Sequence, residues 1–218
     1  MQGALESALQ RLFNQSIRVR VAGRTDTGVH AVGQVAAFLA PKVVLLPQFH
    51  RSLNAILPSD IVVKQLEETT ESFNPRRDAK SRVYQYRIWN HPWRSPIHAR
   101  YSWHLPYALK TELMHQAASL LIGNHDFSSF RGSDSVERTP HRTVLCSTVR
   151  QEGDFLVYNV EARSFLRHMV RNIVGTLVDV GRGALDVNGF AAIFAARDRT
   201  RAGLNAPPHG LFLVEVKY

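Results

Sequence analysis

Cysteine is nearly absent. Cys146 is the one such residue in a chain of 218, and a single thiol excludes an intrachain disulfide framework and suits a reducing compartment. No apolar run reaches the roughly 18 residues that would mark a membrane span. The best candidate, Val32 to Leu46, is broken by Gln34 and Lys42. The opening Met1-Gln2-Gly3-Ala4-Leu5-Glu6 has neither the basic start nor the apolar stretch of a signal peptide. These absences predict a cytoplasmic protein with no membrane partner. Also missing are a GxGxxG turn, a P-loop and any cluster of cysteines and histidines, so no motif calls for a nucleotide cofactor or a metal. Acidic residues are scarce beside basic ones, 18 against 27, for a formal charge of +9. A surface of that sign attracts polyanions, nucleic acid above all, although a merely basic soluble protein would carry it too.

What is present fits a globular fold: 44% hydrophobic and 21% charged residues. Ala4, Leu5, Ala8, Leu9 and Leu12 recur at helical spacing. Residues 17–21 alternate as a half-buried strand does, and 32–38 and 61–66 read as further strands around a helix over 46–56. Residues 67–81 are charged and carry Pro75, which suggests a boundary. The expected division is an N-terminal half over 1–73, a linker over 74–81 and a C-terminal half over 82–218. In the latter, 82–89 and 101–105 are strand-like. Thr111 is placed to cap a helix, and residues 143–149 and 155–160 flank a hairpin turn at Glu152-Gly153-Asp154. A long polar loop covers 128–141. Helices are expected over 165–180 and 187–197, with a last strand at 211–216. Hairpins mixed with helices outside strict βαβ alternation predict an α+β fold with largely antiparallel sheet.

Three places invite chemistry. Gly23 to His30 sets glycines, hydroxyls, Arg24 and the lone carboxylate of Asp26 directly after a strand. Such a loop brings backbone close to a ligand and offers a nucleophile or base; it also fits an Asx-type turn in which Asp26 bonds its own backbone. In the helix expected from Phe165, Arg167 and Arg171 are four residues apart and would share a face at the margin of an apolar arc formed by Leu166, Val170, Ile173, Val174 and Leu177. An arginine there either snorkels to water or pairs with a carboxylate or phosphate. Tyr84 and Tyr86 lie on one face of a strand, as a core pair or as a stacking platform for an extruded base.

Taken in order along the chain, these segments resemble a known family. Ala22-Gly23-Arg24-Thr25-Asp26-Thr27-Gly28-Val29-His30-Ala31 is similar to the signature of the tRNA pseudouridine synthase A family. Phe73 to Arg77, Ala79 to Arg82 with Tyr84 and Tyr86, Asp126 to Arg131, Arg138 to Pro140, Phe165 to Gly175 and Pro208 to Leu211 agree with it. The resemblance implies a pseudouridine synthase fold of two similar, ferredoxin-like α+β halves around a central basic cleft. It implies Asp26 as the catalytic carboxylate, Arg171 as its partner and Arg24 as the group that displaces the target nucleotide. Tyr84 and Leu211 would contact the target. Phe73, Asn74, Pro75, Arg76, Arg77, Arg131, Asp134, Arg138 and Arg167, with Arg24, would contact tRNA. It further implies isomerisation of uridines in the anticodon stem-loop, action as a homodimer, and no metal or organic cofactor. Breaking the C1′–N1 bond, turning the base and joining C1′ to C5 consumes nothing, which agrees with the absence of cofactor motifs.

One departure stands out. Family members begin with a strand and a Gly-Trp-Gln loop before the first helix, whereas Met1-Gln2-Gly3 already starts that helix. The expectation is a missing first strand, with neighbouring strands short of a hydrogen-bonding partner. The alternatives are a truncated, weakly active or inactive tRNA-binding protein and a glycosidic hydrolase. The second would need two carboxylates, where the signature loop holds one. A metal-dependent nuclease would need a ligand cluster, and His91 and His98 lack ligand spacing.

Overall fold

The computed structural model describes residues 1–132 and 139–218. It divides into two compact units, one of Met1–Arg24 with Gln34–Ala79, the other of Thr25–Gly33 with Lys80–Tyr218.

The first unit is built from α1 (Gln2–Phe13), β1 (Val19–Val21), β3 (Ala36–Phe38) and α2 (Leu46–Ile56), β2 (His30–Ala31) lying in the other unit. Strands β1 and β3 pair antiparallel, Val19 opposite Phe38 and Val21 opposite Ala36. Ala8, Leu9, Phe13, Phe49 and Leu53 close a small core, with the Phe13 and Phe49 rings 5.1 Å apart. Its extended backbone is satisfied partly by helix side chains. Val19 N–H donates to Glu6 Oε1 at 3.1 Å and Gln2 Nε2 donates to the Val19 carbonyl at 3.1 Å. Residues 61–66 form no strand, contrary to the alternating pattern. The backbone of Val63 bonds instead to Asn54 (2.8 and 2.9 Å) and His50 (2.6 Å) of α2. Two amphipathic extended segments thus dock on helices, which the sequence pattern does not distinguish from sheet pairing. The strand read over 32–38 is also shorter than expected, with only Ala36–Phe38 paired in this unit.

The second unit carries a seven-stranded sheet. Its strands are β2 (His30–Ala31), β4 (Ser81–Asn90), β5 (Trp103–Leu105), β6 (Gly123–Asp126), β7 (His141–Glu152), β8 (Phe155–Ala162) and β9 (Leu211–Lys217). The order is β2-β9-β4-β8-β7-β6, with β5 beside the end of β4. Only β2–β9 and β4–β5 are parallel, so the mixed α+β architecture is antiparallel-dominated as expected. The hairpin of β7 and β8 turns at Gly153-Asp154. Helix α3 (Thr111–Ser119) packs on β7 and on α4 (Met169–Gly181), and α4 on α5 (Val187–Ala196). Thr111 is the first residue of α3 rather than its cap; Lys110 holds the cap position, and the Thr111 hydroxyl donates to Gln151 Oε1 at 3.2 Å.

Helix α4 is buried on almost every side, with Ile173, Val174, Leu177 and Val178 in the core. It starts four residues later than the helix expected from Phe165. His168 adopts φ 60°, ψ 2°, a left-handed conformation that an α-helix cannot include, so Phe165 to Arg167 lie before it. Gly175 is required at its position because a Cβ there would overlap the Leu204 carbonyl oxygen.

Two predictions follow from this packing. Gly175→Ala forces the Leu204 backbone away from α4 and is expected to cost about 2 kcal/mol, seen as a melting point lower by about 6 °C; an unchanged melting curve would refute the contact. Lys217 Nζ donates to Glu161 Oε2 at 2.8 Å, and this bond, with that from Ser81, holds the Glu161 carboxyl below its ordinary value. A depressed folded pKa gives stability that is full above the unfolded value, about 4.3, and lost as pH falls through the folded one. Melting temperature should therefore decline less in Glu161→Gln than in the unaltered protein as pH falls from about 5 to 3.

Candidate active site

The loop holding Asp26 is closed by a turn and fastened where it leaves toward β9. Val29 N–H closes a turn on the Asp26 carbonyl at 3.0 Å. The chain then pairs with β9, His30 opposite Phe212 and Ala31 opposite Leu213. The Leu213 carbonyl accepts from Val32 and Gly33 at 2.8 and 3.2 Å, and the His30 ring stacks on Phe212 with centroids 5.0 Å apart. Gly28 turns at φ +86°, and a Cβ on it would press on the Pro208 ring at 3.0 Å. Pro208 belongs to a turn anchored from the core, where the fully buried Tyr86 donates its hydroxyl to the Pro207 carbonyl at 2.7 Å.

Onto this loop converge side chains from α4 and β4. Arg171, in the first turn of α4, donates from Nη1 to Asp26 Oδ2 at 2.9 Å and from Nε to the Ala206 carbonyl at 2.7 Å. Ala206 N–H in turn donates to the Arg171 carbonyl at 3.1 Å. The guanidinium is thus held by backbone on one side while its other arm meets the carboxylate, both side chains being mostly buried. His168 Nε2 lies 3.5 Å from the same Oδ2, an ion pair when the ring is protonated. The second oxygen, Oδ1, makes no hydrogen bond or ion pair with any described residue. Tyr84 stands edge-on to Phe165 at 5.0 Å. Burial pushes its phenol up to about 12; the Asp26 charge adds to the rise and Arg82 opposes it. At neutral pH it is therefore a protonated hydroxyl. A carboxylate with one oxygen fixed and the other open is chemically competent as a nucleophile or base.

The remaining expected residues are placed as follows. Leu211 is buried in the core, opposite Tyr86 on β4. Of the two, Tyr86 is a core tyrosine and Tyr84 is a partly buried neighbour of Asp26. Arg167 is exposed but precedes α4, so it shares no helix face with Arg171, and the spacing argument fails for it. Arg131 is partly buried after a short 3-10 turn. Asp134 and Arg138 lie outside the described residues. In the first unit, Arg24 is exposed. Asn74 Oδ1 accepts from the backbone of Arg76 and Arg77, both at 3.1 Å, in a turn that leaves both arginines on the surface, with Phe73 half-buried and Pro75 buried. Sequence reasoning missed His168. Its place in the stretch Phe165 to Gly175 was visible, but the turn that sends the ring toward Asp26 was not. His91 and His98 pack on Trp89 at 5.4 and 5.0 Å. Among the described residues no group of three or more His, Cys, Asp or Glu is placed to hold a metal, and no helix is long and apolar enough to cross a membrane.

Comparison with known proteins gives these observations a family context. Residues 117–218 match a family model described as tRNA pseudouridine synthase. The whole chain aligns at 43% identity with a tRNA pseudouridine synthase A of Geotalea daltonii, covering 89% of that protein. It aligns at 43% with one of Myxococcus xanthus, covering 83%, and at 41% with one of Histophilus somni, covering 81%. Identity of this level over the full length, on a sheet and loop that bring Asp26 to Arg171, makes the chain a member of the tRNA pseudouridine synthase A family.

Proposed function

We propose that this protein is an isomerase that converts uridine to pseudouridine in tRNA, with Asp26 as its catalytic carboxylate. The observation that carries the reading is the 2.9 Å pair between Arg171 and Asp26, formed across 145 positions of sequence within one folded unit. The relatives' shared name supplies the reaction, and the geometry supplies a means.

Arg171 and its Ala206 anchor fix Oδ2, so Oδ1 is the oxygen presented to the target nucleotide. There it engages the sugar or the base as the C1′–N1 bond breaks. The base then turns, C1′ joins C5, the C5 proton leaves to restore the ring, and N1 takes up a proton, so that the product is an isomer of the substrate. Tyr84 presents a neutral hydroxyl to base or ribose, and Leu211 backs the site from the core. His168 helps to orient Asp26. A stem uridine must leave its stack to be reached; Arg24 takes the vacated place, and Phe73 to Arg77, Arg131, Asp134, Arg138 and Arg167 contact the surrounding tRNA. The same reading places the target in the anticodon stem-loop, the protein in the cytoplasm, and the active form as a homodimer without metal or organic cofactor. Trp93, Ile97 and Tyr101, which are 77%, 80% and 50% exposed, offer an apolar surface of the kind a second copy covers.

Tritium release from tRNA labelled at uridine C5 tests the chemistry. Asp26→Ala should reduce release about 10³-fold or more with tRNA still bound. Arg171→Lys keeps the charge but loses the two-armed anchor, and should lower kcat by about 10²-fold with KM little changed. Full release from Asp26→Ala would remove this assignment, and free uracil in place of pseudouridine would identify a hydrolase. Sedimentation at micromolar concentration should give twice the chain mass; a fully active monomer would end the homodimer reading.

A further inference from the structure

The segment that anchors Arg171 also walls a pocket of about 310 Å³, lined by Gly132, His168, Asn172, Arg199, Thr200 and Asn205. His168 is shared: the ring that lies 3.5 Å from Asp26 Oδ2 is also part of the pocket wall. Asn172 and Gly132 are buried, and Thr200 stands exposed at the rim. Among the described residues, the lining is neutral or basic.

Two features ask for a ligand. The first is an uncancelled cation. Arg199 donates from Nη1 to the carbonyls of Ala202 and Gly203 at 3.2 and 3.0 Å and from Nη2 to Asn172 Oδ1 at 3.0 Å. All three acceptors are neutral, and among the described residues no carboxylate lies within ion-pair distance of it. The second is an amide out of balance. Asn205 Oδ1 is buried without a hydrogen-bond partner, and no described residue bonds its Nδ2 either. Nitrogen and oxygen of an amide are interchangeable by rotation. Whichever way it is turned, one polar end is buried unpaired and the other is left for the pocket. The end that faces the pocket, turned as the nitrogen, is a donor that no described residue uses. The shared chemistry of a fixed guanidinium and an amide donor, with no acid among the described residues, is that of an anion site.

We infer that this pocket holds a backbone phosphate directly adjoining the target uridine, bound by the Arg199 charge and the Asn205 amide. The inference rests on the isomerase reading, since a phosphate one linkage from the reacting sugar is the anion that RNA would bring beside His168. It gives the enzyme a grip on the displaced nucleotide that is independent of base identity.

The test uses anticodon stem-loop RNAs in which the phosphate on the 5′ or the 3′ side of the target uridine is replaced, one at a time, by a neutral methylphosphonate. Kd is read by fluorescence anisotropy, and pseudouridine formation is followed in parallel. One of the two neutral linkages should weaken binding roughly tenfold, the size expected of a charge-assisted hydrogen bond. Asn205→Ala should weaken binding of the unmodified RNA by roughly fivefold and bring little further loss with the sensitive linkage. Because it removes an unpaired amide, this variant should melt no lower than the unaltered protein. Equal binding of all three RNAs, or losses that multiply in the variant, would overturn the inference and leave the pocket to water. If the unmodified RNA binds but is never isomerised, the function proposed above fails instead, and the Kd comparison still decides the pocket.

Discussion

The ion pair between Asp26 and Arg171 sets the terms for the rest of the second unit. Both side chains are mostly withdrawn from water, at 26% and 13% exposure, and two such charges are tolerable only when they meet in good geometry. That geometry is imposed from three directions. The sheet fixes the loop, through the pairing of His30 and Ala31 with β9 and the Leu213 carbonyl that takes two N–H groups. The core fixes the turn on which the loop leans, through the Tyr86 hydroxyl on Pro207. The helix and the segment before β9 fix the arginine, through reciprocal bonds between Arg171 and Ala206. Gly175 lets that segment lie against α4, and Gly28 lets the loop approach Pro208. A side chain at either position would disturb the pair without touching it.

A second constraint governs the first unit, where little sheet exists to absorb backbone hydrogen bonds. Val19 and Val63 both run extended with backbone groups that no neighbouring strand takes up, and in both cases polar side chains of a helix supply the bonds. Gln2 and Glu6 are one helical turn apart, as are His50 and Asn54, so each pair projects from one face of its helix. The same spacing that makes a helix amphipathic thus lets it stand in for a strand edge.

This substitution explains where the sequence was legible and where it was not. The long strands β4, β7, β8 and β9 and the helices α1, α2 and α5 are visible in the sequence because their apolar residues are close together in the chain and belong to the elements themselves. Residues 61–66 show the alternation of a strand, but alternation reports which side is buried and not what takes the hydrogen bonds. The apolar arc from Leu166 to Leu177 is real, since all its members are buried; the start of α4 is hidden in it because the left-handed residue is a histidine and not the glycine that would have announced a break. For the same reason Arg171 was found and His168 was not. Asp26 could be singled out as the lone carboxylate of a glycine-bounded loop, but its partner was out of reach of any local pattern, and only the resemblance to a family joined the two.

The arrangement around Asp26 also bears on why the bond broken would be re-formed and not hydrolysed. Hydrolysis of a glycosidic bond by paired carboxylates needs a second acid or base to manage a water or a leaving group. The described partners of Asp26 are a guanidinium and an imidazole on one oxygen, and its nearby phenol is held protonated by burial. None of these is a second carboxylate, and among the described residues the adjoining pocket has no acid in its wall. On the proposed assignment of Asp26 as the catalytic carboxylate, Oδ2 is committed to Arg171 and one oxygen would remain for the substrate. A site with a single working oxygen is suited to holding one fragment while the other turns in place, because the group that opens the bond is still there when the new one closes. On this view the arginine does not merely balance a charge; by occupying one oxygen it limits the carboxylate to one partner at a time.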